Sequence, residues 1–157
     1  MSIKENLQQQ VENWKRIGAP PGAWLMQEFV LRNGQTYEGR NLPSSYIPGV
    51  PKYCFSNAQE YVAGNGSLRY VEGFAMRDDI EFTMHHAWCI DARNRVVDPT
   101  MIHAEHCSYM GVIFMREQIR AARGIHSISV LDGDHGINWK LIAQLDPYLK
   151  EQVERFL

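Results

Sequence analysis

The sequence predicts an α+β fold, an antiparallel sheet with helices packed around it. Both ends of the chain show the apolar periodicity of amphipathic helices. The middle shows runs of apolar and aromatic residues separated by Gly, Asn and Pro turn signals, which are typical of strands. With 157 residues, of which 45% are hydrophobic and 22% charged, the chain fits one domain over residues 1–157.

The first segment predicts a helix over residues 2–17, with Ser2 as its N-cap. Its apolar stripe consists of Leu7, Val11 and Trp14. Gly18 and the Pro-Pro-Gly turn that follows end this helix.

Residues 23–32 are then typical of a strand, and the Asn-Gly pair at 33–34 is a hairpin-type turn signal. Residues 39–51 contain three prolines and two glycines, so this segment is predicted to be a loop.

The remaining elements follow in short succession. A short helix is predicted over residues 52–62, ended by the Gly-Asn-Gly run at 64–66. Strands are predicted at residues 68–76, 81–90, 95–98, 109–114 and 127–131. Two further helices are predicted, one over residues 115–123 with Gly124 as its cap and an amphipathic one over residues 138–156.

Charge and composition argue against several classes of partner. The formal net charge is -2 and the sequence has no Lys/Arg run, so neither a nucleic acid nor an anionic membrane is expected to bind. The polar N-terminus has no signal-peptide core, and no apolar stretch approaches the roughly 20 residues that span a bilayer. The expected location is therefore the cytoplasm. Three cysteines without a signal peptide favour free thiols over a disulfide framework.

The segment HHAWCIDARNRVVDPT predicts a hairpin that brings a histidine to a carboxylate. Strand alternation places His86 on one face and His85 on the other. With a loop of residues 91–93 or 90–94, His86 lies directly opposite Asp98, at a Cβ separation of about 5 Å. A loop with an even number of residues would turn one of the two side chains to the other face.

Cys54 lies at the predicted start of a helix, shortly after Pro51. The positive end of the helix dipole favours a thiolate there, and a neighbouring His86 would complete a nucleophile–base pair. The backbone N–H groups at Cys54 are candidates for an oxyanion hole, with Gln27 or Trp24 as guesses for the second donor.

The runs KYCFSNAQEYV, LRYVEGFA, HHAWCID and VVDPT resemble the core of the transglutaminase-like superfamily. The resemblance covers roughly residues 52–100. It implies a transglutaminase-like or papain-like core with the nucleophile at a helix N-terminus, and a catalytic core at about residues 50–115. Carried over residue by residue, it implies Cys54 as nucleophile, His86 as general base and acid, and Asp98 as the residue that orients the imidazole.

The resemblance implies a thiol enzyme that acts on an amide, either a peptide bond or a Gln side chain, through an acyl-enzyme. Protease, deamidase and acyltransferase activities all remain open, since the superfamily contains each of them. The expected substrate is a protein or peptide, and no cofactor is required. The linker between Cys54 and His86 is shorter than in many relatives, and Phe55 stands where Trp or Arg is frequent.

Two other interpretations remain. One is a catalytically inactive module that keeps this fold to bind a protein. The other is a zinc site, because HxxC and HxxHC fragments contain residue types that suit zinc, although their spacing fits no standard module. The residues concerned are His85, His86, Cys89, His103, His106 and Cys107.

Overall fold

The computed structural model describes residues 1–124, 128–133 and 136–155 and shows an antiparallel sheet with helices packed on it, as predicted. The helices are α1 (Ile3–Arg16), α2 (Leu25–Asn33), α3 (Cys54–Gly64), α4 (Arg116–Gly124), α5 (Trp139–Leu145) and α6 (Pro147–Glu154). The strands are β1 (Gln35–Glu38), β2 (Arg69–Arg77), β3 (Thr83–Ile90), β4 (Val96–Val97), β5 (Cys107–Phe114), β6 (Asp132–Gly133) and β7 (Gly136–Ile137). No helix among the described residues is long and apolar enough to cross a membrane.

The main sheet has the strand order β1-β5-β2-β3-β4, with every neighbouring pair antiparallel. It is strongly curled. Tyr37 on β1 and Trp88 on β3 are separated by two strands in the sheet order, yet their ring centroids are 6.1 Å apart. The two edges also approach each other, because Arg40, just after β1, donates from Nε to the Val96 carbonyl on β4 at 2.7 Å.

Strand alternation divides the core into two clusters, one on each face of the sheet. The helices α1 to α6 all contribute to the cluster on one face, here called the helix-side cluster, together with alternate residues of the strands. The second cluster lies on the concave face and contains Tyr37, Val71, Ala75, Trp88, Ile90, Val96, Cys107 and Tyr109.

Segment 23–32 was predicted as a strand, and this prediction is wrong. It forms the helix α2, in which Leu25, Phe29 and Val30 are fully buried at helical spacing in the helix-side cluster. The Asn-Gly pair ends this helix and makes no hairpin: Asn33 donates to the Phe29 carbonyl and the Gly34 N–H to the Val30 carbonyl. Strand β1 follows at once and was not predicted.

Other predictions are confirmed with local corrections. Ser2 caps α1 by accepting from the Glu5 N–H, but Trp14 is 43% exposed and is not on the buried stripe, which consists of Ile3, Leu7 and Val11. Residues 39–51 form a loop, and the helix at Cys54, the helix α4 and the strands β2 to β5 occur where expected.

Two predictions near the C-terminus need correction. Residues 128–131 were predicted as part of a strand but form bends, and residue 127 of that segment lies outside the described residues. The predicted helix 138–156 is divided into α5 and α6 at Asp146, which caps α6 by accepting from the Leu149 N–H before Pro147. Its last residue, 156, also lies outside the described part of the chain.

Candidate active site

Cys54 is the first residue of α3 and its side chain is buried, with 8% of the residue exposed. Before it, Lys52 has a φ of 74°, a left-handed conformation that breaks any continuation of the helix backwards. Tyr53 is the N-cap and provides no side-chain hydrogen bond to the helix. The first N–H groups of α3 therefore lack a capping side chain, and the positive end of the helix dipole lies at the thiol.

Asn57, one turn into α3, connects the helix to the loop before it and to the turn after β4. Its Nδ2 donates to the Val50 carbonyl at 2.7 Å and to Thr100 Oγ1 at 2.8 Å, and its Oδ1 accepts from the Val50 N–H. A Cβ added at Gly49 would lie 2.3 Å from the Asn57 side chain, so this close approach requires glycine. The Gly49 N–H also donates to the Pro99 carbonyl at 2.8 Å. These bonds fix the start of α3 relative to the turn after β4.

His86 and Asp98 form a buried hydrogen-bonded pair with 2.7 Å between Nε2 and Oδ2. The two residues are only 4% and 2% exposed. Asp98 accepts three further bonds: at Oδ1 from the N–H groups of Thr100 and Met101, and at Oδ2 from the Tyr109 hydroxyl at 2.9 Å. Both carboxylate oxygens are thus held by two donors each, so the orientation of the carboxylate is fixed.

The predicted strand register between His86 and Asp98 is wrong by two residues. The observed partners are Cys89 with Val97 and Ile90 with Val96, which places Asp98 level with Trp88. The hairpin loop comprises residues 91–95, two residues more than the predicted loop 91–93 and one position further along the chain than the predicted loop 90–94. Asn94 is in the left-handed conformation, and the Asp91 N–H donates to the Arg95 carbonyl. Because a shift of two keeps the face of each side chain, His86 still meets Asp98, as a diagonal neighbour.

Burial lowers the pKa of His86, but its neighbours outweigh that effect and raise the pKa to about 9. The Asp98 carboxylate acts through its charge and its hydrogen bond, and Cys54 acts in the same two ways. Burial raises the pKa of Asp98, and the His86 charge with the surrounding donors lowers it further than burial raises it. Since Nε2 is bonded to Asp98, the second ring nitrogen is the one left for Cys54. The structure therefore brings Cys54, His86 and Asp98 together.

The other two thiols are in different surroundings. Cys89 is fully buried and its Sγ donates to the Ala58 carbonyl at 3.3 Å, and burial raises its pKa strongly. Cys107 is 3% exposed, and burial with the nearby Asp98 charge raises its pKa to about 11. Both thiols are therefore held in the protonated form at neutral pH.

His85 points to the opposite face of β3, as predicted. Its Nε2 lies 3.1 Å from Glu72 Oε2, and its ring contacts Phe55, the residue after Cys54, at a centroid distance of 4.9 Å. His85 thus belongs to a second polar centre on the helix side of the sheet.

Glu72 is the centre of this second group and was not anticipated from the sequence. It is fully buried and accepts hydrogen bonds from five donors: Tyr70 Oη, Ser129 Oγ, the N–H groups of Val130 and Leu131, and the His85 ring. Burial raises the pKa of Glu72, but its hydrogen-bond donors, His85 first among them, lower it below its ordinary value. The available signal was a carboxylate at a core-facing position of the apolar run LRYVEGFAM.

Tyr109 was also missed. It is fully buried, and its ring contacts those of Trp88, at a centroid distance of 4.8 Å, and His86, at 6.2 Å. A tyrosine within an apolar strand carries no signal for a carboxylate partner, because that partner comes from another strand.

The two guesses for a second oxyanion donor gain no support. The Trp24 indole N–H already donates to the Ala19 carbonyl at 3.2 Å, and Lys15 lies over its ring at 4.5 Å. Gln27 lies on α2, which packs against α1, β2 and β5. The first-turn N–H groups of α3 remain the candidates.

The His and Cys residues of the zinc interpretation do not converge. His103 and His106 are exposed beside Glu105, whereas His85 is bonded to Glu72 and His86 to Asp98. In residues 1–124, 128–133 and 136–155, no three His, Cys, Asp or Glu side chains are grouped so that they would hold a metal ion.

Comparisons of the chain with protein-family models, with curated proteins and with solved structures found no match. The chemistry of Cys54, His86 and Asp98 therefore has to be inferred from their own geometry.

Proposed function

We propose that this chain is a cysteine-nucleophile hydrolase or acyltransferase that acts on an amide of a protein or peptide through an acyl-enzyme. The observation that carries the proposal is the buried His86, which is bonded to Asp98 through Nε2 at 2.7 Å and lies close enough to Cys54 for the thiol to help raise its pKa. This is the arrangement that a nucleophile, a base and an orienting carboxylate require. It agrees with the resemblance to the transglutaminase-like superfamily in the runs that carry these three residues.

In the first half of the reaction, the Cys54 thiolate attacks the carbonyl carbon of the amide and forms a carbon–sulfur bond. The first-turn N–H groups of α3 donate to the oxyanion that develops. The carbon–nitrogen bond then breaks, and the His86 imidazolium gives its proton to the departing amine. A raised His86 pKa favours this role, because the imidazole is protonated at neutral pH.

In the second half, water attacks the thioester carbonyl while His86 accepts its proton, and the Cys54 thiolate leaves. If a substrate amine takes the place of water, the same steps give transfer of the acyl group. Asp98 keeps the imidazole in one orientation throughout and stabilises its positive charge.

Selective alkylation tests the proposal without knowledge of the substrate. With limiting iodoacetamide at neutral pH, we expect Cys54 to react well before Cys89 and Cys107, because only Cys54 has a helix N-terminus and an imidazolium beside it. Peptide mass spectrometry after a short reaction measures the three rates. His86→Ala is expected to slow the reaction at Cys54, and His85→Ala is the matched control.

Equal labelling of the three thiols, or a Cys54 rate that does not depend on His86, would refute the proposal. That result would favour the inactive protein-binding module instead.

A further inference from the structure

The Asp98 carboxylate divides its Oδ2 atom between two donors, His86 Nε2 at 2.7 Å and the Tyr109 hydroxyl at 2.9 Å. Oδ1 is occupied by two backbone N–H groups. An ionised carboxylate accepts about four hydrogen bonds, so all of its acceptor positions are used. The bond from Tyr109 therefore competes with His86 for the charge on one oxygen atom.

The Tyr109 hydroxyl donates its hydrogen bond to Asp98 regardless of pH. Burial, followed by the charge of Asp98, raises its pKa far above the ordinary value, so the hydroxyl stays protonated over the whole pH range of the folded protein. Its ring is fully buried and contacts the rings of both Trp88 and His86, so the hydroxyl has little freedom to choose another partner.

We propose that Tyr109 is a positioning residue that sets the basicity of His86 through Asp98, an inference that rests on the proposed function of this site. The hydroxyl draws negative charge from Oδ2, and without it more of that charge acts on the imidazole. The imidazolium is then stabilised too well and gives up its proton less readily to the departing amine.

Other titratable groups face this cluster. Cys54 faces His86 from α3, and Cys107 and Glu105 lie near Tyr109 at the start of β5. All of them are present both in the unmodified protein and in a variant that lacks only the tyrosine hydroxyl, so the difference between the two titrations of His86 reports the effect of that hydroxyl.

The experiment compares two tyrosine variants. Tyr109→Phe removes the hydroxyl that bonds to Asp98. Tyr37→Phe removes a buried hydroxyl that has no hydrogen-bond partner among the described residues, from a ring in the same concave cluster. The ¹⁵N signals of the His86 ring, assigned by their loss in His86→Gln, are followed by NMR against pH.

We expect the pKa of His86 to rise by on the order of 1 unit in Tyr109→Phe and to stay unchanged in Tyr37→Phe. Identical titrations of the two variants would overturn the proposal. Replacement of Tyr109 by 3-fluorotyrosine keeps the shape of the ring and makes the hydroxyl a stronger donor. It should lower the pKa of His86, and an absent or opposite shift would likewise count against the inference, even if Tyr109→Phe does not fold.

The test separates this inference from the proposed function. Slow alkylation of Cys54 in the unmodified protein would reject the enzyme but leave the titration of His86 interpretable. A reactive Cys54 with a His86 titration that is insensitive to residue 109 would reject only the role of Tyr109.

Discussion

Asp98 shows at the scale of a single residue how much a buried carboxylate depends on its donors. Four hydrogen bonds reach it, two from backbone N–H groups and two from the side chains of His86 and Tyr109. Both oxygens of Asp98 face hydrogen-bond donors, so a side chain that carries an N–H₂ group in place of one oxygen would bring two donors together. This makes the residue sensitive to a change of a single atom.

Asp98→Asn is therefore expected to damage both reactivity and stability. The amide loses the negative charge that stabilises the imidazolium, so the pKa of His86 should fall and the alkylation of Cys54 at neutral pH should slow at least about tenfold. The N–H₂ group that replaces one carboxylate oxygen will also face a hydrogen-bond donor in the buried site, at a cost of about 1–3 kcal/mol of unfolding free energy. Iodoacetamide kinetics and urea unfolding measure the two effects. Unchanged kinetics would show that Asp98 does not act on His86.

The neighbouring histidines His85 and His86 should respond differently to the same substitution. His86→Ala removes the partner of Cys54 and should largely abolish its selective alkylation, whereas His85→Ala should leave it within a few-fold because its imidazole faces Glu72. The two rates are compared by peptide mass spectrometry. The reverse ranking would assign the role of base to His85 and would remove Asp98 from the site.

At the scale of the element, β2 and β3 together support two polar groups on opposite faces. His86 on the concave face belongs to the site of Asp98, and His85 on the helix side belongs to that of Glu72. Glu72 holds the bends at residues 128–131 through Ser129 Oγ and two backbone N–H groups. The carboxylate thus joins the sheet to a segment that has no regular secondary structure of its own.

Glu72→Gln is expected to destabilise the fold by about 3 kcal/mol, because a buried amide cannot accept from five donors and its own N–H₂ lacks an acceptor. Glu60→Gln on the exposed side of α3 is the matched control and should change stability by less than about 0.5 kcal/mol. Chemical unfolding of both variants measures the difference. Equal stabilities would show that the Glu72 network contributes little.

The lowered pKa of Glu72 predicts that the folded protein loses stability at acidic pH. Its pKa in the folded protein lies below the ordinary value, so the unfolded chain binds its proton at a higher pH than the native protein does. The stabilisation is therefore present above the unfolded pKa of about 4.3 and is lost as the pH falls through the lower folded value. Urea unfolding between neutral and acidic pH should show this loss, and it should be reduced in Glu72→Gln.

At the scale of the whole molecule, Asp146 connects the C-terminal helices to α2. It caps α6, accepts from Arg32 Nε at 2.8 Å and from Asn33 Nδ2 at 2.9 Å, and is only 4% exposed. Asp146→Asn keeps an acceptor for the cap but loses the ion pair, whereas Asp146→Ala loses both. We expect Asp146→Ala to be the less stable variant by about 1 kcal/mol, as measured by thermal unfolding. Equal melting temperatures would mean that the cap has no effect.

Much of the site could be predicted from local sequence. Pro51 before Cys54 indicates a helix start, and the alternation of HHAWCI separates His85 from His86. The observed register between β3 and β4 differs from the expected one by two residues, an even number, so the face of Asp98 was right although its register was not. These features depend on a few neighbouring residues, so they are visible in one stretch of chain.

The sequence alone thus determined the order of most helices and strands, the helix start at Cys54 and the faces of His86 and Asp98, because turn chemistry and apolar periodicity are local. Only the tertiary structure decided that residues 25–33 are a helix, since a short apolar segment takes the conformation that its packing favours. It also decided that Glu72 binds residues 129–131, which are distant in the chain, and that Tyr109 on β5 donates to Asp98. Such contacts form only after the sheet curls and the helices pack on it, so no local pattern encodes them.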